Sequence, residues 1–309
     1  MSPLPTFDDV LEAARRIESL IKRTPVMTSR LINQAVGAEL FFKCEHLQSA
    51  GAFKFRGTSY VMTRLTPEQR RAGVITHSSG NHAQALALAA QRVAVAATIV
   101  MPEGSNPMKR TATIGYGARV LTCPNTQADR ESACQQEMEL AGLHLVHPYD
   151  DERIIAGAGT ATLELLEEVP DLDAVVTPVG GGGLLSGSIL AARGETRVYG
   201  AEPTGADDAH RGIAQGRRVT DQHPETVSDG LRTCLGVLNF AIIHPGAAGI
   251  GLATDEETLS AMRLVHARTK QLIEPSSAVP LACLLNGSIP ARGRIGVVIS
   301  GGNVDLESL

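Results

Sequence analysis

The chain has 309 residues, a length that suits one large domain or two smaller ones. It is 43% hydrophobic, which is enough for a sizeable core, and its 28 basic and 33 acidic residues give a net charge of −5. It has no basic run, only 3% aromatic residues and no tryptophan. This composition is not typical of proteins that bind nucleic acids or acidic membranes, so we expect neither partner.

The cysteines indicate the compartment. The five thiols are scattered, odd in number and without a CxxC pair: Cys44, Cys123, Cys134, Cys234 and Cys283. Such a pattern is typical of reduced cysteines in a cytosolic protein. The N-terminus shows no secretion signal, and no apolar stretch approaches the roughly 18 residues of a membrane span. We therefore expect a cytoplasmic protein.

The first predicted element is a helix. Thr6 to Asp9 resembles a capping box, and apolar residues from Val10 to Ile21 recur at helical spacing until Thr24-Pro25, which we expect to end the helix. From residue 73 onward, apolar runs alternate with helical patterns. Strands are predicted at 73–79, 96–101, 119–122, 143–147, 174–179, 197–201 and 295–299, and helices at 82–92, 107–114, 127–141, 154–169, 184–193 and 255–271.

This alternation predicts an α/β protein with a mostly parallel sheet and helices on both faces. The units between about Gly73 and His147 suit a smaller lobe inserted in a larger one. Ligands of such sheets lie beyond the carboxyl ends of the strands. Three polar or glycine-rich segments fall at such ends, so we expect them to form one site: 78–82, 180–183 and 300–303.

Four consecutive glycines, Gly180 to Gly183, lie between a predicted strand and a predicted helix. Glycines let backbone N–H groups approach an oxyanion, and the helix N-terminus adds a favourable dipole. The segment matches neither a Walker loop nor GxGxxG. A tight turn without a ligand is the alternative, but ordering four glycines is entropically costly.

Lys54 lies among small and apolar residues in the run 49–57. A lysine in such surroundings usually extends its ammonium group into water, whereas a partly desolvated lysine has a lowered pKa and forms imines. Together with the three segments at the strand ends, Lys54 predicts a site for pyridoxal phosphate (PLP), a cofactor that restricts the reaction to amino-acid chemistry.

Two further segments are open to structural interpretations. Ser78, Ser79 and Asn81 suit caps of the helix that follows them, and His82 at that helix start is more typical of a structural than a catalytic histidine. Ser300 suits either a Ser-Gly-Gly turn or a hydrogen bond to a heterocyclic nitrogen. A neutral serine does not hold a pyridine nitrogen protonated, which favours β-elimination over transamination.

The acidic turn from Glu202 to Asp208 offers two carboxylates and a carbonyl, which are ligands that Mg²⁺ and Ca²⁺ prefer, although without other context a solvated acidic loop is the more common interpretation. His144 and His147 flank a predicted strand. We do not interpret them as a metal pair, because no third ligand supports them.

These motifs together resemble the fold-type II PLP enzymes of the serine/threonine dehydratase and serine racemase family. The resemblance extends from about Thr6 to Leu306 and is carried by six segments: 53–57 (FKFRG), 78–82 (SSGNH), 180–183 (GGGG), 202–208, 274–277 (EPSS) and 300–303 (SGGN). It implies a large parallel-sheet domain that binds PLP, formed by residues 1–68 and 148–309. A smaller inserted α/β domain, residues 69–147, lies on the substrate side.

The resemblance also implies roles for single residues. Lys54 forms an imine with PLP and later takes the α-proton, while Ser79 is the acid/base on the opposite face in racemases. The other implied cofactor contacts are Phe53 and Glu274 near the ring, Asn81 at the 3-oxygen, Gly180, Gly181, Gly182 and Gly183 at the phosphate, and Ser300 at the pyridine nitrogen. The implied substrate contacts are Ser78, Ser79, Gly80, His82 and Arg130, and the implied divalent-cation ligands are Glu202, the Ala206 carbonyl and Asp208.

Two departures from the family pattern are visible. Ala52 stands where many relatives have serine, so one potential phosphate hydroxyl is absent. The chain ends soon after Asn303, so we expect no C-terminal regulatory domain and no feedback inhibition by an amino acid.

The resulting hypothesis is a β-elimination that converts a β-hydroxy amino acid of the L-serine or L-threonine type into a 2-oxo acid and ammonia. The alternatives are a serine racemase with side dehydratase activity and a 3-hydroxyaspartate dehydratase, which needs a cation for the distal carboxylate. Arg130, Arg232 and His210 are the candidates for that cation. Cysteine-synthase-like β-replacement and a catalytically inactive PLP-binding protein rank lower. The family implies a homodimer.

Overall fold

The computed structural model describes residues 4–124 and 126–305, which form two α/β units, each built on its own sheet. Leu306, where the resemblance ends, lies outside the described residues. The strands are β1 (Val26–Met27), β2 (Glu39–Cys44), β3 (Val74–His77), β4 (Ala97–Pro102), β5 (Arg119–Cys123), β6 (His144–Leu145), β7 (Ala174–Pro178), β8 (Arg197–Pro203), β9 (Gly249–Ala253) and β10 (Arg294–Ile299). The helices are α1 (Phe7–Ile17), α2 (Arg30–Val36), α3 (Lys54–Arg64), α4 (Pro67–Ala72), α5 (Asn81–Arg92), α6 (Pro107–Gly115), α7 (Gln127–Ala141), α8 (Glu152–Glu168), α9 (Gly183–Ala192), α10 (Asp208–Gln215), α11 (Val237–Gly246), α12 (Asp255–Thr269) and α13 (Pro275–Leu285), with 3-10 turns at Glu45–Leu47, Ser49–Gly51 and Asp229–Leu231.

The larger sheet has the strand order β1-β2-β10-β7-β8-β9. Its neighbours run parallel except β1, which is antiparallel to β2. Strand β10 lies between β2 and β7, with Ile295 in register with Leu40 on one side and Ala174 on the other. Every residue of β7 is buried, as expected for a strand covered by helices on both faces. The ends of β7 and β10 are therefore neighbours.

The smaller sheet has the order β5-β4-β3-β6 and is parallel throughout. All four of its strands lie between residues 74 and 145, within the predicted inserted lobe. The exact domain boundaries, 1–68 with 148–309 and 69–147, stay a prediction.

Helix α3 joins the two units. Its residues Phe55, Val61 and Met62 are buried in the core of the smaller unit, against α5. Its other side packs on α8, which covers the larger sheet. Lys54, the first residue of α3, is thereby placed between the two sheets.

The seven predicted strands and the six helices predicted after residue 73 are all present, although the strand predicted at 143–147 contains only His144 and Leu145. The first helix begins at its capping box, in which the Thr6 N–H donates to Asp9 at 2.7 Å. It ends at Ile17 and not at Thr24-Pro25 as predicted, because the chain turns after Ile17 and Thr24 is buried instead against Glu45, 2.5 Å away.

Other elements were not anticipated: strands β1, β2 and β9 and helices α2, α3, α4, α10, α11 and α13. No helix within residues 4–124 and 126–305 combines the length and the apolar character needed to cross a membrane. The five cysteines are all free thiols.

Candidate active site

The segments that follow β3 and β10 meet at one edge of the molecule. The Phe53 N–H donates to the Ser300 carbonyl at 2.9 Å, and the Asn303 side chain donates to the Asn81 side chain at 3.0 Å. These contacts connect the end of the larger sheet with Lys54 and with the start of α5. Two of the three segments expected to share a site, 78–82 and 300–303, thus meet beside Lys54, and a single site that also includes 180–183 stays a prediction.

The Lys54 amine is held by the chain on the far side of the cleft. Its Nζ donates to the Pro148 carbonyl at 2.8 Å and lies 5.1 Å from the centre of the Phe53 ring. Burial lowers the pKa of Lys54 to about 8, so about a tenth of the amine is unprotonated at pH 7. An unprotonated amine is the nucleophile that attacks an aldehyde.

The glycine loop, residues 180–183, follows β7 and leads into α9. A Cβ atom on Gly181 would lie 2.2 Å from the Tyr149 ring, and Gly182 has a φ of +96°, so side chains are excluded at both positions. Within the described residues, no backbone N–H of this loop donates a hydrogen bond. Unpaired N–H groups at a helix N-terminus form a site for an anion such as a phosphate group.

Ser300 is buried beside a second serine, Ser277, at the start of α13. The Ser277 hydroxyl donates to the Gly301 carbonyl at 2.7 Å and accepts from the Gly301 N–H at 2.7 Å. Its only proton is thus used, so in the 3.0 Å contact between the two hydroxyls Ser300 is the donor. The pair is uncharged, as the sequence predicts for Ser300.

Asn81 connects Glu274 with Asn303. The Asn81 side chain donates to one carboxylate oxygen of Glu274 at 2.8 Å and accepts from Asn303. Burial raises the pKa of Glu274 to about 7, an effect that the charge of Lys109 partly opposes. The second carboxylate oxygen, Oε2, is buried without a partner. The predicted contacts Asn81 and Glu274 are thus brought together.

The segment 78–82 forms the start of α5. The Gly80 N–H donates to the Ser78 hydroxyl at 3.3 Å, whereas the Ser79 hydroxyl makes no hydrogen bond within the described ranges. His82 is buried, and its Nε2 lies 3.3 Å from the Val146 carbonyl, so this ring joins α5 to the end of β6. Burial and the charge of Lys54 hold the pKa of His82 well below its usual value.

The three proposed cations for a distal carboxylate lie in different places. Arg232 donates to the Thr226 carbonyl through two nitrogens, at 2.5 and 3.1 Å, and His210 contacts the Ile250 carbonyl at 2.9 Å. Arg130 lies on α7, half-buried, and within the described residues its Nε makes a 3.4 Å contact with the Thr126 carbonyl. The first two are thereby occupied, and Arg130 is the cation of the three whose charge acts on a cleft residue, His77.

Two carboxylates at the end of β8 and in the turn after it are buried, those of Glu202 and Asp208. Glu202 accepts from the N–H groups of Ala209 and His210, and Asp208 accepts from the Leu235 N–H and the Gln222 side chain. Burial raises the pKa of Glu202 well above its usual value and that of Asp208 to about 6.

Neither of these two carboxylates forms an ion pair within the described residues. An oxygen-only set that includes the Ala206 carbonyl fits a hard divalent cation. No group of three or more His, Cys, Asp or Glu side chains that would suit a metal occurs in the described ranges.

A sequence profile of the family described as "Pyridoxal-phosphate dependent enzyme" matches residues 17–301. The chain belongs to this family. Its relatives include a serine racemase of Dictyostelium discoideum, 46% identical over 98% of this chain and 96% of the relative. An L-threo-3-hydroxyaspartate ammonia-lyase of Saccharomyces cerevisiae is 43% identical over 98% of this chain and 95% of the relative. Among solved structures, a maize serine racemase superposes with a TM-score of 0.96 at 39% identity, covering 99% of this chain and 96% of that one.

The geometry fits the family's cofactor. The free N–H groups of the glycine loop suit the phosphate of PLP, and the amine of Lys54 suits its aldehyde. The uncharged hydroxyl of Ser300 suits the pyridine nitrogen. This PLP-dependent enzyme is therefore of the ammonia-lyase and racemase type that its relatives represent.

Several site residues were not singled out from the sequence. Ser277 and Asn303 lie within quoted motifs, but their contacts depend on α13 meeting the end of β10. Tyr149, whose ring packs on Gly181, lies in a loop without any motif. A buried aromatic ring opposite a glycine leaves no local sequence signal.

Proposed function

We propose that this enzyme is a dehydratase that converts a β-hydroxy amino acid of the L-threonine or L-serine type into a 2-oxo acid and ammonia. The observation that carries the proposal is the half-buried Lys54 amine, with a pKa lowered to about 8, at the same strand ends as the uncharged Ser300–Ser277 pair. The amine supplies a base at neutral pH. The uncharged pair leaves the cofactor ring a weak electron acceptor, which suits elimination.

Bound PLP would withdraw electrons from the α-carbon of the amino acid. In our proposal the glycine loop, residues 180–183, holds the phosphate, Phe53 packs beside the ring, and Asn81 bonds its 3-oxygen with Glu274 behind it. Ser300, whose hydroxyl proton is directed at Ser277 in this structure, would turn that proton towards the ring nitrogen. Lys54 then removes the α-proton, and its position at the end of α3 between the two sheets fixes where that base acts.

The α-carboxylate of the substrate is proposed to bind at the start of α5, to Ser78, Ser79 and Gly80. The helix N-terminus favours an anion there. His82, which is buried behind this segment, would hold the segment in position through its contact with the Val146 carbonyl. The β-hydroxyl would leave as water with the proton that Lys54 took from the α-carbon. The released enamine would tautomerise to an imine, which water hydrolyses to a 2-oxo acid and ammonia, so no oxidant or reductant is needed.

Racemisation is the second candidate. Ser79 is the observation that favours it, because its hydroxyl has no partner within the described residues and is therefore available to a substrate. A hydroxyl on the face opposite Lys54 returns a proton with inverted stereochemistry. The serine racemase of D. discoideum, 46% identical, supports this alternative as strongly as the ammonia-lyases support the first.

One experiment separates the candidates. Release of a 2-oxo acid is measured with L-serine, L-threonine and the four stereoisomers of 3-hydroxyaspartate, and the remaining amino acid is analysed for chirality. Release from any of them supports the dehydratase. D-serine formed from L-serine without release of a 2-oxo acid would replace the proposal with racemisation. Lys54→Ala should abolish both activities, and a near-normal rate in this variant would contradict the assignment.

We also propose that Glu202, the Ala206 carbonyl and Asp208 bind Mg²⁺, or Ca²⁺ or Mn²⁺ in its place. A cation between two buried carboxylates would relieve their repulsion and stabilise the fold, by about 2.7 kcal/mol at a hundredfold excess over Kd. We expect the melting temperature to fall on chelation and to recover with Mg²⁺. Glu202→Gln should remove this response, and an equal response in that variant would contradict the site.

Two further features belong to the proposal. Five free cysteines support a cytoplasmic location. The family resemblance supports a homodimer, which a sedimentation measurement on the enzyme tests directly.

A further inference from the structure

The tautomer of His147 is determined by its own backbone turn. Its Nδ1 accepts from the Asp150 N–H at 2.8 Å and from the Tyr149 N–H at 3.3 Å. A backbone N–H only donates, so Nδ1 carries the lone pair and the ring proton of the neutral imidazole resides on Nε2. His147 therefore presents an N–H donor at its outer edge.

This donor lies in the cleft of the active site. The residue after it, Pro148, holds the Lys54 amine through its carbonyl at 2.8 Å. The His147 ring stands edge-on to His77, with ring centres 5.8 Å apart, and His77 immediately precedes the segment 78–82. His147 is half-buried, and no hydrogen-bond acceptor engages its Nε2 within the described residues.

Three acidic groups act on His147: Asp150, Asp151 and Glu131 on α7. Asp150 accepts from the N–H groups of Val237 and Leu238 at the start of α11, both at 2.9 Å. Asp151 accepts from Arg153 at 2.6 Å. Burial is the main cause that lowers the pKa of His147, and Lys54 adds to it, so the ring is neutral at pH 7 despite these carboxylates. An uncharged N–H donor without an internal acceptor is available to an anionic ligand.

A positive group borders the same volume. The charges of Glu131 and Arg130, which are neighbours on α7, both act on His77, as does His147, so one carboxylate, one guanidinium and two imidazoles border this part of the cleft. Arg232 and His210 are held by backbone carbonyls elsewhere. A ligand bound at the proposed α-carboxylate site could carry a second anionic group. That group would meet N–H donors from the smaller unit and from the 147–150 turn.

We propose that the Nε2–H of His147 binds the distal carboxylate of a dicarboxylic β-hydroxy amino acid, 3-hydroxyaspartate, and so adds this substrate to those of the L-serine and L-threonine type. This inference rests on the proposed function and names the substrate class of the same site. A hydrogen bond to a charged group contributes more than one between neutral groups. Serine has no second carboxylate and makes no use of this donor.

The test compares two substrates in one variant. In His147→Asn the side-chain oxygen takes the place of Nδ1 and preserves the turn, while the outer donor is lost. We expect KM for L-threo-3-hydroxyaspartate to rise about 10- to 100-fold and KM for L-serine to stay within about threefold. His144→Asn is the control, because that ring contacts Gln69 and Arg153 outside the cleft, and both KM values should be unchanged.

A second readout does not depend on turnover. The dissociation constants of L-aspartate and L-alanine are measured from the absorbance of bound PLP, and only the constant for L-aspartate should rise in His147→Asn. Equal losses of affinity for both ligands would overturn the inference, because they would show that His147 only stabilises its backbone turn. Turnover of L-serine with unchanged L-aspartate binding in the variant would also overturn it, with the proposed function intact. Absence of turnover with every substrate counts against the proposed function alone.

Discussion

Lys54 is the residue on which the chemistry depends, and its surroundings predict how it titrates. Burial lowers the pKa of this amine to about 8 from the usual 10.5, and only the unprotonated amine attacks the aldehyde of PLP. We expect the rate at which the cofactor-free protein recombines with PLP to rise with pH, with a midpoint near 8. Stopped-flow absorbance measures this rate, and a midpoint above about 10 would show an ordinary exposed lysine.

Glu274 makes the stability of the cofactor-free protein depend on pH. Its pKa is raised from 4.5 to about 7 by burial, so the folded state holds a proton that the unfolded state releases between those values. The contribution of this proton is present below about pH 4.5 and is lost as the pH rises to about 7, an effect of about 2–3 kcal/mol.

Urea unfolding between pH 5 and pH 7.5 measures this dependence. Glu274→Gln keeps a neutral side chain that hydrogen-bonds to Asn81, and it should flatten the pH profile by about that amount. The same slope in wild type and variant would assign the dependence to another group.

At the scale of elements, helix α3 is anchored by a buried ion network. Arg56 is fully buried and binds the carboxylates of Glu45 and Glu164 at 2.7–2.8 Å. Lys43, also buried, binds Glu164 at 2.7 Å. These contacts tie the first turn of α3 to β2 and α8, so the network also fixes the backbone that carries Lys54.

Removing Arg56 should therefore lower the stability of the fold. Arg56→Met leaves buried carboxylates without their partner, and we expect the free energy of unfolding to fall by about 3–5 kcal/mol. The control is Arg23→Met, whose partner Glu167 is half exposed, and it should cost less than about 1 kcal/mol. Urea titrations of the three proteins measure both values. Equal losses would mean that the network has no special role.

The sequence predicts best the elements whose pattern is local. Seven strands and six helices follow from apolar periodicity, and the glycine loop, Lys54 and Ser300 follow from their positions at strand ends. The sequence does not show α3, because its residues are buried on both sides and have no amphipathic stripe. The sequence likewise does not distinguish Arg56 from an ordinary charged residue beside Lys54, since its partners are 11 and 108 positions away.

At the scale of the whole molecule, one ion pair joins the smaller unit to the larger one. Lys109 on α6 binds Asp229 at 2.5 Å, and the lysine side chain is only 6% exposed. The turn that contains Asp229 packs against the glycine loop. The contact is close, since a Cβ atom on Gly180 would lie 3.0 Å from the Gly230 carbonyl. The same turn is attached to α13, since the Gly230 N–H donates to Ser276 at 3.1 Å. The position of the smaller unit is thereby coupled to the loop proposed to hold the phosphate.

Asp229→Asn tests this coupling, because it leaves the buried ammonium group of Lys109 without a counter-charge. An unpaired ammonium group is more stable in water than in a buried position, so α6 should separate from the larger unit more often. We expect amide hydrogen exchange in residues 107–115 to accelerate about tenfold, which corresponds to about 1.4 kcal/mol. Glu68→Gln breaks the exposed pair with Arg71 on α4 and should leave these rates unchanged. Unchanged exchange in Asp229→Asn would show that apolar packing alone holds the two units together.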